Sequence, residues 1–346
     1  FFSCRAQLGT MGPYNDQPRI EVRVWHLEVD KADREKYLLA DGSALKAYHR
    51  TTKDTADIAG SNNQDGPAAI RYREGRGTWA RFSQITGFTQ FNNSYVFVVD
   101  KDNNCIRSIN RETKETSQLA GSCGGGNWGN ADGDLTDARF NRPDQIVTAS
   151  VSFMIYVTDS INKSIRKIDL FQNKVSTFKQ LDQSPRSITI RRDSLKMYVT
   201  TRSQLIEITM SDGLINYIIN SAEAGFNDGS LASAQISNPA AILQFKRDLY
   251  LLADTDNNRL RIVDIANNRT SSVCTGDEVF SAGIKRIDSC QIKKPTAIME
   301  LRLTDRDHQL IIGTRSTTMR RLEYSKRPKS RFFLSSFPLP MFLSFL

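Results

Sequence analysis

The stretch DGSLASAQISNPAAILQFKRDLYLLADTDNNRLRIVD, residues 228–264, decides the fold of this chain. Asp228-Gly229 opens it, and Pro239 precedes its first apolar run. A second apolar run, 249–254, ends in an aspartate, and a polar turn then leads into the alternating run 259–263. Short runs of this kind, bounded by Asp, Asn, Gly and Pro, predict β-strands joined by tight turns. The stretch therefore predicts consecutive antiparallel strands.

The same unit recurs along the chain. The apolar and aromatic run has six copies, mostly about 50 to 60 residues apart with one shorter step of about 42, at 37–41, 95–100, 154–159, 197–201, 249–254 and 310–314. Four copies follow a proline and a short apolar strand, three units carry an earlier Asp-Gly, and a fourth strand often ends at Ala-Gly. Four antiparallel strands in a repeat of this length are typical of a propeller blade. The sequence predicts an all-β, six-bladed β-propeller of four-stranded antiparallel blades.

The units at 132–177 and 228–276 match most of one known pattern, and on these residues the chain resembles the NHL repeat family. The resemblance covers roughly 3–325 and implies a six-bladed propeller. The fourth copy departs from the pattern because it is short, lacks Asp-Gly and has Thr201 in place of the aspartate. The sixth copy lacks both the aspartate and Asp-Gly.

Ring closure is expected to involve both ends of the propeller, 1–325. The last unit shows three clear strands, ending near 319–324, whereas Cys4–Gly9 resembles a closing strand placed before the first unit. A closed ring leaves no sheet edge unpaired. We therefore expect Cys4–Gly9 to be the outermost strand of the last blade, so that its deletion destabilises the ring.

Residues 326–346 form a C-terminal tail that is first basic and then almost wholly apolar. The apolar part is shorter than the roughly 20 residues of a membrane span and contains Pro338 and Pro340. Three interpretations stay open: a disordered tail or gene-model artefact, a truncated membrane anchor, and a lipid-anchor signal. A membrane contact is expected only through this tail, if it is genuine.

Composition narrows the class of protein. The chain has 346 residues, a formal net charge of +9 and 39% hydrophobic residues. These values exclude a collagen-like chain, a multi-span membrane protein and a wholly disordered protein. The positive charge favours an acidic partner, such as nucleic acid, an anionic membrane surface or a sulfated glycan.

One strand position is basic in five copies and acidic in the fourth, at Lys46, Arg107, Arg166, Arg261, Arg320 and, as the exception, Glu207. The preceding strand ends in aspartate in four of the basic copies, and the fourth copy has lost that aspartate. We interpret the position as an Asp–Arg pair inside each blade rather than as a ring of charge around a ligand, because arginine forms geometrically specific pairs with carboxylates. The sixth copy, with Thr314 and Arg320, does not fit.

A second group of basic and aromatic residues is expected on the face formed by the turns and by the links between blades. These candidate binding residues are Arg71, Arg73, Arg76, Trp79, Arg81, Lys101, Arg142, Lys163, Arg202, Arg259 and Arg315. Basic residues beside aromatic ones suit single-stranded nucleic acid, and some NHL propellers bind RNA on this face. A solvated loop has the same composition, so RNA binding remains an alternative.

Catalysis is not expected, and no cofactor is predicted. Some propellers related to the NHL group are metal-dependent lyases, but a zinc site needs three convergent ligands and an open position. The three histidines, His26, His49 and His308, do not recur between the units. A metal-dependent propeller lyase or hydrolase is therefore the third hypothesis.

The five cysteines do not match a zinc pattern or a disulfide framework, although one or two bridges in a secreted protein stay open. Burial as a small side chain is the default interpretation, and a Cys274–Cys290 bridge across one link is the sharper hypothesis. Three N-glycosylation motifs, beginning at Asn92, Asn162 and Asn268, support secretion weakly, since a chain of this composition contains about three by chance.

The sequence thus predicts a non-catalytic scaffold for protein–protein interaction, with RNA binding and metal-dependent catalysis as alternatives. An extracellular or membrane-associated location is favoured over a cytoplasmic one, but the compartment, the partner and the oligomeric state are not determined by the sequence.

Overall fold

The computed structural model describes residues 9–10, 24–52, 54–62, 72–124, 126–149, 153–273, 294–302, 307–314 and 319–325. Within these ranges the regular elements are 27 strands and two short 3₁₀ helices, Gly77–Trp79 and Lys101–Asn103. The strands form six antiparallel sheets, numbered here 1 to 6 along the chain. The first strand, β1 (Gly9–Thr10), belongs to sheet 6.

The first three sheets follow the chain in order. Sheet 1 contains β2 (Val24–Val29), β3 (Lys36–Asp41), β4 (Ala44–His49) and β5 (Thr55–Gly60). Sheet 2 contains β6 (Gly75–Arg76), β7 (Ile85–Gln90), β8 (Tyr95–Asp100), β9 (Cys105–Asn110) and β10 (Glu115–Gly121). Sheet 3 contains β11 (Gly133–Asp134), β12 (Pro143–Thr148), β13 (Met154–Asp159), β14 (Ser164–Asp169) and β15 (Lys174–Gln180).

The other three sheets complete the set. Sheet 4 contains β16 (Ser187–Ile190), β17 (Lys196–Thr200), β18 (Gln204–Thr209) and β19 (Ile215–Asn220). Sheet 5 contains β20 (Gly229–Ser230), β21 (Ala241–Lys246), β22 (Leu249–Asp254), β23 (Arg259–Asp264) and β24 (Arg269–Ser272). Sheet 6 contains β25 (Pro295–Arg302), β26 (Asp307–Thr314) and β27 (Met319–Ser325), with β1 beyond β27.

The first long strand of each sheet faces the centre of a ring. The strands β2, β7, β12, β16, β21 and β25 contact one another in this cyclic order, and β25 contacts β2 again. Apolar side chains fill the spaces between neighbouring sheets, as where Val99 of sheet 2 packs with Phe140 and Ile155 of sheet 3. Both faces of the middle strands are covered, which is why β22 is buried along its whole length. The predicted all-β propeller with antiparallel blades is confirmed.

The expectation of six complete four-stranded blades is corrected by the described residues. Sheets 1 to 5 each contain four consecutive strands and are complete blades. Sheet 6 has three long strands and, as its fourth, only the two residues of β1. Gly9 lies opposite Arg321 and Thr10 opposite Arg320. Of the predicted closing strand Cys4–Gly9, only Gly9 is described.

The repeated Asp-Gly dipeptide has a role that the sequence did not predict. In sheets 3 and 5 its glycine begins a short fifth strand, β11 or β20, which pairs with the outer side of the fourth strand. Gly133 and Gly229 have φ angles of 154° and 123°, in a region that favours glycine. The link between two sheets therefore crosses the outer edge of the next blade before it returns to the centre.

Hydroxyl groups join consecutive sheets at the repeated prolines. Ser160 of sheet 3 donates to the carbonyl of Pro185 (2.8 Å), Thr200 of sheet 4 to that of Pro239 (3.0 Å), and Thr255 of sheet 5 to that of Pro295 (2.7 Å). All three residues that donate through their hydroxyl groups are buried. Each bond fixes the entry of the next blade.

The meander of each sheet creates two faces. The link face contains the turns between second and third strands together with the links between sheets. The turn face contains the turns between first and second strands and those between third and fourth strands. In the described part of the chain, no helix is long and apolar enough to span a membrane.

Candidate functional site

The predicted Asp–Arg pair is present in sheets 2, 3 and 5. The carboxylates of Asp100, Asp159 and Asp254 accept from Arg107, Arg166 and Arg261 at 3.4, 3.1 and 2.9 Å, and all six side chains are fully buried. In sheet 1 Lys46 pairs with Asp41 at 3.2 Å. The arginines also bind the links: Arg261 donates to the carbonyls of Asn227 (2.7 Å) and Gln235 (2.9 Å). In sheets 2, 3 and 5 this basic position therefore holds the link against the blade.

Burial also changes the pKa values of the paired aspartates. Burial is the largest influence on Asp100, Asp159 and Asp254 and raises the pKa of each, that of Asp159 to about 6. Hydrogen bonds oppose this effect, and Asn162 donates to Asp159 at 2.8 Å. The link aspartate Asp132 lies 2.7 Å from Arg166 and gives that guanidinium a second carboxylate.

Sheet 4 replaces this pair with a different buried group. Glu207 accepts from Lys196 at 2.5 Å and from the hydroxyl of Tyr198. These two donors lower the pKa of Glu207 even though burial acts in the opposite direction. The Tyr198 ring lies 4.3 Å from the ring of Tyr250 in sheet 5, so this group belongs to the contact between the two sheets.

Two of the predicted binding cations on the link face are paired with carboxylates. Lys101 lies 2.8 Å from Asp144, and Arg142 lies 2.9 Å from Asp102. Both ion pairs join sheet 2 to sheet 3. Their charge is therefore partly neutralised by the protein itself.

The other predicted link-face cations differ in exposure. Lys163 and Arg202 are exposed. Arg259 is half-buried, and its guanidinium lies 4.2 Å from the centre of the Phe226 ring. Arg315 lies outside the described residues.

The basic and aromatic segment before sheet 2 lies on the outer rim instead of the expected face. Its strand β6 pairs with β10, and Arg76 lies opposite Glu115, next to a turn of the turn face. Arg73 donates to the carbonyl of Trp79 (2.7 Å), and Arg81 donates to that of Ala80 (3.0 Å). Trp79 is 70% exposed. Arg71 lies outside the described residues.

The turn face presents an exposed apolar surface that was not predicted from the sequence. Its main members, called here the turn-face patch, are Phe153 and Phe171 of sheet 3 and Leu195 and Leu214 of sheet 4, with exposures of 59, 83, 61 and 66%. Backbone bonds hold the two turns of each sheet together, since Leu170 donates to Phe153 (3.0 Å) and Met210 to Leu195 (2.9 Å). Met154 and Met210 both pack against one apolar cluster between sheets 3 and 4, so the two halves of the patch lie at the same junction of sheets.

A small cavity of about 20 Å³ lies at the centre of the ring. Every sheet contributes to its lining, which consists of Trp25, Thr86, Asp144, Gln145, Arg186, Ala240 and Thr296. Several of its polar groups bind each other, as Gln145 donates to the carbonyl of Thr86 at 2.7 Å. The lining contains one carboxylate and one guanidinium, 3.5 Å apart, from Asp144 and Arg186.

The remaining residues with possible chemistry are potential metal ligands and the cysteines. Among the described residues, no group of three or more His, Cys, Asp or Glu side chains could hold a metal ion. Cys105, at the start of β9, forms a disulfide with Cys123 in the link that follows. This pair was not predicted, because nothing in the spacing of Cys105 and Cys123 indicates it. The predicted Cys274–Cys290 bridge lies outside the described residues.

Comparisons with known proteins agree with this fold. No family model matches the chain. Protein SUPPRESSOR OF QUENCHING 1, chloroplastic, from Arabidopsis thaliana is 25% identical over 214 residues, which is 56% of this chain and 20% of that protein. NHL repeat-containing protein 2 from Bos taurus is 32% identical over 107 residues, which is 30% of this chain and 14% of that protein. The alignments thus span a fifth or less of each relative's length.

Solved structures share the fold at low sequence identity. An auxiliary nutrient binding protein from Bacteroides thetaiotaomicron has a TM-score of 0.66 at 11% identity, over 90% of this chain and 71% of that one. Virginiamycin B lyase from Staphylococcus aureus has a TM-score of 0.54 at 12% identity, over 92% and 99% of the two chains. The relatives and the solved structures together support an NHL-type β-propeller, and the fold is shared by binding proteins and by lyases.

Proposed function

We propose that this NHL-type propeller is a non-catalytic scaffold that binds a protein partner through the turn-face patch. The observation that supports the proposal is the exposure of four large apolar side chains on adjoining turns of sheets 3 and 4. Contiguous exposed apolar surface on a soluble fold marks an interaction site more often than scattered single residues do. Burying phenylalanine and leucine side chains against a partner lowers the free energy of the complex, because it removes apolar surface from water.

RNA binding receives less support, because two of the cations predicted to bind it form ion pairs within the protein. RNA affinity depends on cations that can reach phosphates, and Lys101 and Arg142 are engaged with carboxylates. Catalysis by a metal-dependent lyase remains the other alternative, because the fold is shared with lyases. Metal analysis of the purified protein tests it directly.

The experiment compares wild type with the double variant Phe171→Ser/Leu214→Ser. A partner is purified from source cells on the wild-type chain, and its affinity for each variant is then measured with isolated components. We expect at least a tenfold weakening, since truncating two apolar anchors at the centre of an interface costs about 2 kcal/mol or more. Trp79→Ser is the matched control, because Trp79 is equally exposed but lies on the rim.

Two results would contradict the proposal. One is an unchanged affinity of the double variant for every partner that the wild-type chain binds. The other is salt-sensitive retention on RNA as the main binding activity, with no effect of the double variant.

We also propose that sheet 6 is a sixth blade, completed by the N-terminal segment, and that the protein functions in an extracellular or membrane-associated location. The pairing of β1 with β27 supports the sixth blade. The Cys105–Cys123 disulfide supports the location, because disulfides persist in oxidising compartments and are rare in the cytosol.

A further inference from the structure

Three Asn-X-Ser/Thr motifs occur in the described residues, and the fold gives their asparagines different surroundings. Asn92 lies in the turn between β7 and β8, and Asn268 lies in the turn between β23 and β24, so both are on the turn face. Asn162 lies in the turn between β13 and β14, on the link face. An N-linked oligosaccharide needs a side-chain amide that can leave its hydrogen bonds and point into solvent.

Asn162 does not meet this requirement. Its Nδ2 donates to the buried carboxylate of Asp159 at 2.8 Å and to the carbonyl of Gly129 at 2.6 Å. Asn103 and Asn257 make the same bond to Asp100 and Asp254 in sheets 2 and 5. Asn162 is therefore part of the Asp–Arg arrangement of its blade, and a sugar added to Nδ2 before folding would prevent that arrangement from forming in the folded protein.

Asn92 meets the requirement in the folded protein. Residues 92–94 are all exposed. The Oδ1 atom of Asn92 accepts from the backbone of Ser94 and Tyr95, both at 2.8 Å, which leaves Nδ2 on the other side of the amide. Among the described residues, none accepts a hydrogen bond from this Nδ2.

Asn268 is also exposed, but its motif is partly buried. Its side chain makes no hydrogen bond to the described residues, whereas Thr270 is 3% exposed. The Thr270 hydroxyl accepts from Arg261 at 2.6 Å and donates to Asp228 at 3.1 Å. The motif at Asn268 is thus open to an enzyme only before this blade has folded.

We propose that Asn92 and Asn268 carry N-linked oligosaccharides and that Asn162 does not. The donor is a lipid-linked oligosaccharide pyrophosphate. A bond forms between Asn Nδ2 and the anomeric carbon of the sugar, the bond from that carbon to the phosphate oxygen breaks, and Nδ2 loses one proton as the lipid pyrophosphate leaves. The Cys105–Cys123 disulfide is an independent sign of the oxidising compartment in which this transfer occurs.

The two acceptors lie on sheets 2 and 5 of the same face, on either side of sheets 3 and 4. The sugars would flank the turn-face patch and leave it open between them. The assignment does not depend on the proposed turn-face interaction; it rests on the surroundings of the three asparagines and on the extracellular or membrane-associated location proposed above.

Site-by-site mass spectrometry tests the proposal. The full chain is directed into the secretory pathway of cultured animal cells, purified in its folded form, and treated with peptide:N-glycosidase F in ¹⁸O-water, which converts each formerly glycosylated asparagine to labelled aspartate. We expect label at Asn92 and Asn268 and none at Asn162. Label at Asn162, or its absence from Asn92 or Asn268, would overturn the proposal.

Two variants separate glycosylation from folding. Asn92→Asp and Asn268→Asp each keep the side-chain oxygen, and aspartate tolerates the φ of 51° at residue 268. Each variant should lose the mass of one oligosaccharide and keep the wild-type melting temperature within about 2 °C. The protein isolated from its own cells should show the same enzyme-sensitive mass, and an unchanged mass there would also overturn the proposal.

Discussion

At the scale of single residues, Arg261 shows how one buried charge organises a blade. It is fully buried between Asp254 at 2.9 Å and Asp228 at 2.8 Å. Arg261→Met should lower the free energy of unfolding by about 3 to 5 kcal/mol, because it leaves the buried carboxylate of Asp254 without its paired cation. Urea denaturation followed by tryptophan fluorescence measures this change.

The matched control for that substitution is Arg259→Met, two residues away. Arg259 is half-buried and stacks on Phe226, so its loss should cost less than about 1 kcal/mol. Equal effects of the two substitutions would show that burial of the Asp–Arg pair is not what stabilises the blade.

The residue scale also shows what the sequence could predict about the site. The Asp–Arg pair was predictable because two charges of opposite sign recur at fixed spacing, and both disappear in the fourth copy. The partners of Glu207 were not predictable, since they depend on the pairing that places Tyr198 opposite Glu207 across two strands. The turn-face patch was missed for a similar reason: its members are separated in sequence and meet only when sheets 3 and 4 pack together.

At the scale of elements, a hydrogen bond from a side-chain hydroxyl of one blade to a proline carbonyl of the next recurs in sheets 3, 4 and 5. Thr255 is 1% exposed, donates to the carbonyl of Pro295 and accepts from the backbone of Ala240 at 3.2 Å. Thr255→Val should lower the free energy of unfolding by about 1 to 3 kcal/mol, since the carbonyl of Pro295 loses this donor. Thr136→Val, at an exposed link position, should change it by less than about 0.5 kcal/mol. Equal denaturation midpoints for Thr255→Val and wild type would refute this role.

The recurring prolines show which features of the strands could be predicted from the sequence. Their recurrence before a short apolar strand correctly placed the first strand of each of sheets 3 to 6. It did not reveal that their carbonyls accept hydrogen bonds from the preceding sheet, because the donors Ser160, Thr200 and Thr255 do not occupy one common position of the repeat. The short fifth strands were also missed, since two residues are too few to show a strand pattern.

At the scale of the whole molecule, the closure of the ring depends on residues far apart in sequence. The pairing of β1 with β27 protects the outer edge of sheet 6, and an unpaired strand edge promotes association between chains. A chain that begins after Thr10 should therefore melt several degrees below the full chain and should form soluble oligomers on heating. Differential scanning calorimetry and light scattering measure the two effects.

Removal of 332–346, the apolar end of the tail, is the matched control and should leave the melting temperature unchanged, because the propeller assignment ends at 325. The closure argument fails if the N-terminal truncation melts with the full chain, or if the C-terminal truncation destabilises the protein as strongly.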